Sequence, residues 1–412
     1  MFYRDAEIID ACATMNNPAH FLSQLLTQGT PLHHPTGIEM TFLVDLCELD
    51  PAYGVSPPDD VHVWINRLTD KTRHAHGLMR QVPGTSVWVR TLTIPPTVRA
   101  SYCFRINAGH YRPPGHNNYP HFFDPHARFG HLISEGRKGL SLIRGRSAPP
   151  HRIWDALTHP HPARFDCSPE GIYSYFPAIP CADLPLLILL DADIWFQRLH
   201  LEVALDQAIA HGMIPPVAVI GLGFSSPDKR RQMLTVNPET SHYIASQLPL
   251  MAQQLAKTRG HRLSSAKPLI AGQSLGAFQA LYIALNCADL FGAVIAQSPS
   301  LWWHPGPEAS PRDLNNQVLP WLVTELYELS IPQRLPHFYI STGLREDQLL
   351  PHVMSLITAL DDLDWPHSFS LIDGGHDLAW WRETLFDDLS AALSEYPRAH
   401  LDPRAFSTTY PR

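Results

Sequence analysis

The chain has 412 residues, of which 44% are hydrophobic and 17% charged, a composition that excludes a disordered polymer and leaves length for two cores. A net charge of −8 excludes a nucleic-acid binder, which needs a basic face. No run approaches the roughly eighteen apolar residues of a membrane span, and MFYRDAEIIDAC lacks the basic and apolar regions of a secretion signal, so the expectation is a cytoplasmic protein with no membrane partner.

Residues 1 to 35 read as a polar helical lead-in, with AEIIDACATM and HFLSQLLTQG as short helices. From Met40 the pattern changes to strands, MTFLVDLCEL, VHVWINRL, SVWVRTLTI and RASYCFRI, separated by Pro, Gly and Asp clusters. Such closely spaced β-branched and aromatic runs predict an all-β sandwich of about 100 residues. The stretch from Asn107 to Phe165 shows no period and reads as a linker, which bounds an N-terminal domain at residues 1–150. His110, His116, His121, His126 and His131 recur within it, but no metal template matches, and neither a resident metal nor a cofactor is expected.

Beyond Cys167 the pattern is that of a second domain, residues 165–400. GIYSYFPAI reads as its first strand, and LPLLILL and PPVAVIGLGF are continuous apolar runs flanking a helical pattern over Phe196 to His211. LIAGQ, FGAVIAQS, LPHFYIST and SFSLID continue the series. Strands apolar on both faces and alternating with helices predict a parallel sheet covered on both sides, an α/β domain. The six cysteines, Cys12, Cys47, Cys103, Cys167, Cys181 and Cys287, form no C-x-x-C pair and read as buried free thiols.

Gly272-Gln273-Ser274-Leu275-Gly276 is a G-x-S-x-G between a strand and a helix, the setting of a nucleophile elbow. Serine needs a base to take its proton, and the base needs a third group to hold its tautomer. After the last strand stands Asp373-Gly374-Gly375-His376-Asp377, which puts His376 where the base belongs. After the preceding strand stand Glu346 and Asp347, which spacing does not separate as the acid. The oxyanion requires backbone donors, one from Leu275 and one from the loop Leu190-Asp191-Ala192-Asp193, so Ala192 and Asp193 are the second candidates.

AGQSLGAFQALYIAL, FGAVIAQSPSLWW, GLRE and DGGHDLAWWR together resemble the enterochelin esterase family, cytoplasmic hydrolases of ferric catecholate siderophores. PGTSVWVRTLTIPPTVRASYCF is similar to the N-terminal β-sandwich of that family, so the resemblance covers nearly the whole chain. It implies an α/β-hydrolase catalytic domain behind an N-terminal all-β sandwich, with Ser274 as nucleophile, His376 as base and Glu346 as acid. It also implies a ferric catecholate siderophore as the small-molecule partner and cleavage of its trilactone esters. The chain departs from the family at Ala192, where a glycine is expected, and at Met233, where a glutamate is.

A ferric tris-catecholate is an anion, so an acidic protein must focus positive charge at the site. The available residues are Lys229-Arg230-Arg231, Arg345 and Arg382, all after strands whose C-terminal ends face the ligand side of such a sheet. Trp302 and Trp303 are placed to stack on catechol rings. Two other readings remain open from the residues: an esterase, peptidase or acyltransferase for another substrate, and a catalytically weak siderophore-binding protein.

Overall fold

Residues two apart along a strand share a face, and in the N-terminal half that alternation builds two facing sheets. A computed structural model describes residues 3–35, 38–107, 119–136, 138–156, 165–306, 309–329 and 335–395; His110 and His116 lie outside them. The chain divides into two units, the first comprising Met1–Pro150, Leu344–Glu346 and Ile372–Trp380, the second the remainder.

The first unit begins with α1 (Asp5–Thr14) and α2 (Pro18–Thr27), followed by β1 (Leu32–His33), β2 (Glu39–Asp45) and the single turn α3 (Leu46–Leu49). Then come β3 (Val61–Ile65), β4 (Arg80–Gln81), β5 (Val87–Thr93), β6 (Arg99–Ile106), β7 (His121–Phe122), β8 (His131–Glu135) and β9 (Lys138–Arg144). One sheet has the order β1-β2-β5-β4 and the other β3-β6-β7-β9-β8. Phe42 and Val44 of β2 and Trp88 of β5 meet Val63, Ile65, Tyr102 and Phe104 of the second sheet in one buried cluster. Phe42 and Tyr102 pack edge to face with ring centres 5.2 Å apart. The alternate residues Leu43, Val87 and Val89 face the other way, onto Ile8, Cys12, Leu22 and Leu25 of the lead-in helices.

Two expectations for this unit are corrected. Strand β2 ends at Asp45 instead of running on to Leu49, because the Asp45 carboxylate accepts the Cys47 N–H at 3.0 Å and caps α3. The stretch read as a linker carries β7, β8 and β9, and it is tied into the sandwich by a buried polar group. Asp124 accepts from Thr30 Oγ1 at 2.5 Å and from the Tyr102 hydroxyl at 2.7 Å. Burial pushes its carboxyl above the usual range.

The second unit holds β10 (Phe165–Cys167), β11 (Ile172–Tyr175), β12 (Leu186–Leu190), β13 (Ala218–Leu222), β14 (Leu269–Gln273), β15 (Ala293–Gln297), β16 (His337–Gly343) and β17 (His367–Ile372), in the order β10-β11-β13-β12-β14-β15-β16-β17. Its helices are α4 (Leu201–Ala210), α5 (Pro227–Leu234), α6 (Pro238–His242), α7 (Leu248–Thr258), α8 (Leu275–Asn286), α9 (Trp321–Glu328), α10 (Leu349–Asp362) and α11 (Leu378–Ser394). Strands β12 to β16 are parallel, but β10 and β11 pair antiparallel, so the sheet is mixed instead of wholly parallel. Every residue of β12, β13, β14 and β15 is buried, which explains their unbroken apolar sequences. The helix expected from Phe196 starts later, at Leu201, after a π-helical turn over Ile194–Arg198.

From β12 the chain passes to β13 on one side and later returns to β14 on the other. That reversal places the crevice of an open α/β sheet at the carboxyl ends of β12 and β14. All six cysteines are free, but Cys167 on the edge strand β10 is exposed, against the expectation of burial. Among the described residues no helix is long and apolar enough to cross a membrane.

Glu202, in the first turn of α4, is 1% exposed, and among the described residues neither carboxylate oxygen has a hydrogen-bond partner. His200 Nδ1 stands 3.8 Å away. Burial, with a smaller contribution from Asp206, raises the Glu202 carboxyl to about 7. A carboxyl raised on folding stabilises the fold while protonated, and that contribution is lost as pH rises through the folded value. Glu202→Gln is therefore expected to melt with the wild type near pH 5 but to exceed it by about 2–3 kcal/mol near pH 8.5; urea titrations at the two pH values check this.

Candidate active site

The elbow is built from backbone contacts that leave no room for side chains. Ser274 sits between β14 and α8 at φ 56°, ψ −118°, outside the regions a serine ordinarily occupies. A Cβ on Gly272 would collide with the Gly276 carbonyl, and one on Gly276 would lie 3.1 Å from Asp191 Oδ2. The Ser274 N–H donates to the Gln297 carbonyl at 2.8 Å, and its own carbonyl accepts the Ser300 N–H at 3.0 Å. Ser274 Oγ lies 3.2 Å from Ser300 Oγ.

The loop expected to supply the second oxyanion donor begins at Asp191, which has φ 58° and is fully buried. Arg230 holds it with a fork, Nε to Oδ1 at 2.5 Å and Nη2 to Oδ2 at 2.7 Å. Burial raises the Asp191 carboxyl while Arg230 pulls it down. Ala192 is buried, and Asp193 Oδ1 accepts the Phe224 N–H at 3.2 Å. Arg230 itself comes from α5, whose start is capped by Ser226. Its charge is thus committed to Asp191, where the sequence suggested a free ligand-binding cation.

Glu346 and His376 belong to the first unit, and Ser274, Leu275, Ala192 and Asp193 to the second. Glu346 is buried, and its Oε2 lies 2.6 Å from His376 Nδ1. A carboxylate accepts, so Nδ1 carries the proton and Nε2 is the basic nitrogen. Asp347, which spacing left level with Glu346, has φ 49° and follows it out of the strand end. Within its own unit the structure thus brings His376 together with Glu346.

The remaining predicted residues make the following contacts. Arg345 Nε pairs with Asp373 Oδ1 at 2.6 Å. Arg382 is buried with its guanidinium 4.9 Å over the Trp154 ring. Trp303, read as a stacking platform, is instead a core residue, 5.1 Å from the Phe278 ring and 5.2 Å from that of Trp321. Trp302 is only partly buried and takes the Arg231 guanidinium at 5.6 Å. Asp191 and Ser300 were not singled out from the sequence; the one signal for Asp191 was its place at the end of an apolar strand, directly before Ala192.

An eight-stranded sheet with a strained serine at its switch point defines an α/β-hydrolase. Residues 171–392 match the family described as "Putative esterase", and the chain belongs to that family; it is a carboxylic ester hydrolase. Residues 49–154 match the family described as "Enterochelin esterase, N-terminal". The chain is 29% identical over 314 residues to the iron(III) salmochelin esterase of Escherichia coli O6:H1, covering 70% of this chain and 73% of that one. It is 26% identical over 312 residues to the iron(III) enterobactin esterase of Dickeya dadantii, covering 68% and 71%. Its fold matches the crystal structure of the enterobactin esterase of Shigella flexneri with a TM-score of 0.70 at 22% identity, over 86% of this chain and 93% of that one.

The geometry separates the two carboxylates experimentally. Glu346→Gln is expected to lower kcat on a simple aryl ester by about 100- to 10,000-fold with little change in KM, because the imidazole loses its tautomer-fixing acceptor. Asp347→Asn is expected to stay within about three-fold of wild type in the same assay.

Proposed function

We propose that this esterase cleaves the ester bonds of a catecholate siderophore, in its ferric or iron-free form, so that iron can be released in the cytoplasm. The reading of the chemistry is carried by the 2.6 Å contact between buried Glu346 and His376 Nδ1, which prepares a base for the serine at the elbow. The reading of the substrate is supported by the names of the relatives, which act on iron(III) salmochelin and iron(III) enterobactin. Ser274 Oγ attacks the ester carbonyl while His376 takes its proton and passes it to the leaving alkoxide. Water, deprotonated by the same imidazole, then frees the acyl group and restores the serine. The N–H groups of Leu275 and of the Ala192–Asp193 loop hold the oxyanion in both steps.

Arg231 and Trp302 supply the exposed cation and half-buried ring on the unit that carries the elbow, and we assign recognition of the anionic catecholate to them together with Lys229. The test is incubation with iron-loaded and iron-free enterobactin followed by chromatography of the products. Linear fragments are expected from the wild type, with Ser274→Ala slower by roughly 10⁴- to 10⁶-fold. Turnover of an aryl ester without any cleavage of the trilactone would move the protein to another ester substrate.

A further inference from the structure

We infer that Asn66 and Ser101 of the β-sandwich are positioning residues for the base, gripping the loop that carries His376. The inference rests on the reading of His376 as the base of Ser274. It goes further by giving the sandwich a task in the chemical step.

The loop from Asp373 to Asp377 belongs to the same compact unit as the sandwich and is held by it along its length. At its start the Arg99 N–H donates to the Asp373 carbonyl at 2.9 Å, and Thr97 Oγ1 donates to Asp373 Oδ2 at 2.6 Å. At its end Asp377 Oδ2 accepts both the N–H of Ser101 at 2.7 Å and its hydroxyl at 2.9 Å. Asp377 is 4% exposed, so these donors, with the Ala379 N–H on Oδ1 at 2.9 Å, stand in for water. Between the two ends, Asn66 Nδ2 donates to the carbonyl of His376 itself at 3.2 Å.

These holding residues are not scattered. Asn66 directly follows β3, and its N–H donates to the Ser101 carbonyl at 3.1 Å, which extends the β3–β6 ladder by one bond. The two side chains that hold His376 and Asp377 are therefore set by one antiparallel pair, at the end of edge strand β3 and on its neighbour β6. Gly375 shows how close the approach is, since a Cβ there would collide with Asn66 Oδ1 and the Arg67 side chain. Two glycines before the histidine leave the loop little stiffness of its own. Its order has to come from outside, and Asn66, Thr97, Arg99 and Ser101 supply it.

A base must be held to within a fraction of an ångström, and a displacement of about 1 Å can cost about 100-fold in rate. The experiment uses the full-length protein, an aryl acetate and a catecholate trilactone as substrates, and titration with a fluorophosphonate to count reactive serines. Asn66→Ala is expected to lower kcat per titrated site by about 10- to 100-fold on both esters, with KM within about two-fold and the melting temperature little changed. Ser101→Ala, which removes one of the two bonds to Asp377, is expected to lose less, and it is the variant to read if Asn66→Ala does not fold. Wild-type kcat per site in the folded variants would overturn the inference, as would a loss confined to KM for the trilactone, which would make the sandwich a ligand-binding element only. Retention of aryl-ester hydrolysis by Ser274→Ala would instead remove the underlying reading.

Discussion

A serine at φ 56° with a glycine two residues away on either side is the constraint on which the catalytic unit depends. Strain of this kind costs of the order of 1–3 kcal/mol and persists only where the surroundings over-determine the backbone. Here the surroundings are the Gln297 carbonyl, at the end of β15, which pairs with β14 residue for residue, and the Ser300 N–H, three residues beyond that strand. The turn ends β14 and starts α8 directly at Leu275. The serine read as nucleophile and the helix start read as one oxyanion donor therefore depend on the same turn.

The loop read as the second donor is held by a different device, a buried ion pair. Asp191 is fully buried and its carboxyl is raised by that burial, so without Arg230 it would be an uncompensated polar group beside the elbow. The forked contact supplies two hydrogen bonds in a fixed plane, which a lysine does not reproduce. The pair contributes placement more than net stability, since both charges pay for their desolvation. Placement matters here because Asp191 Oδ2 lies against the Gly276 position and its carbonyl receives the Ile194 N–H at 3.0 Å. The loop bearing Ala192 and Asp193 is thereby fixed at both its ends.

Features that depend on local pattern were legible in the sequence. The central strands were readable because both faces are buried and their residues are uniformly apolar, and RASYCFRI was found over its exact span, Arg99–Ile106. The turn around Ser274 was readable because a tight turn restricts residue type. What depends on partners distant in the chain was not. β7, β8 and β9 were hidden because His121, His131 and Lys138 interrupt the alternation, and their attachment runs through Asp124 and Thr30. Charge alone does not reveal that Arg230 is paired with a residue 39 positions away. Trp303 carried a binding-type side chain into the core for the same reason: its neighbours Phe278 and Trp321 come from other elements.

Ala192 and Met233, where the sequence resemblance led us to expect a glycine and a glutamate, differ in what they touch. Ala192 is buried, and its methyl faces Gly221, where an added Cβ would lie 2.5 Å from it. The extra carbon is absorbed by a glycine on the adjacent strand, so it does not require the loop backbone to move toward the elbow. Met233 lies on α5 one turn beyond Arg230, packs against the main core, and its sulfur accepts from Thr240 Oγ1 at 3.6 Å. A carboxylate at that position would stand one helical turn from Arg230 and compete with Asp191 for it. Met233 brings no such competitor, and Arg230 Nε lies 2.5 Å from Asp191 Oδ1.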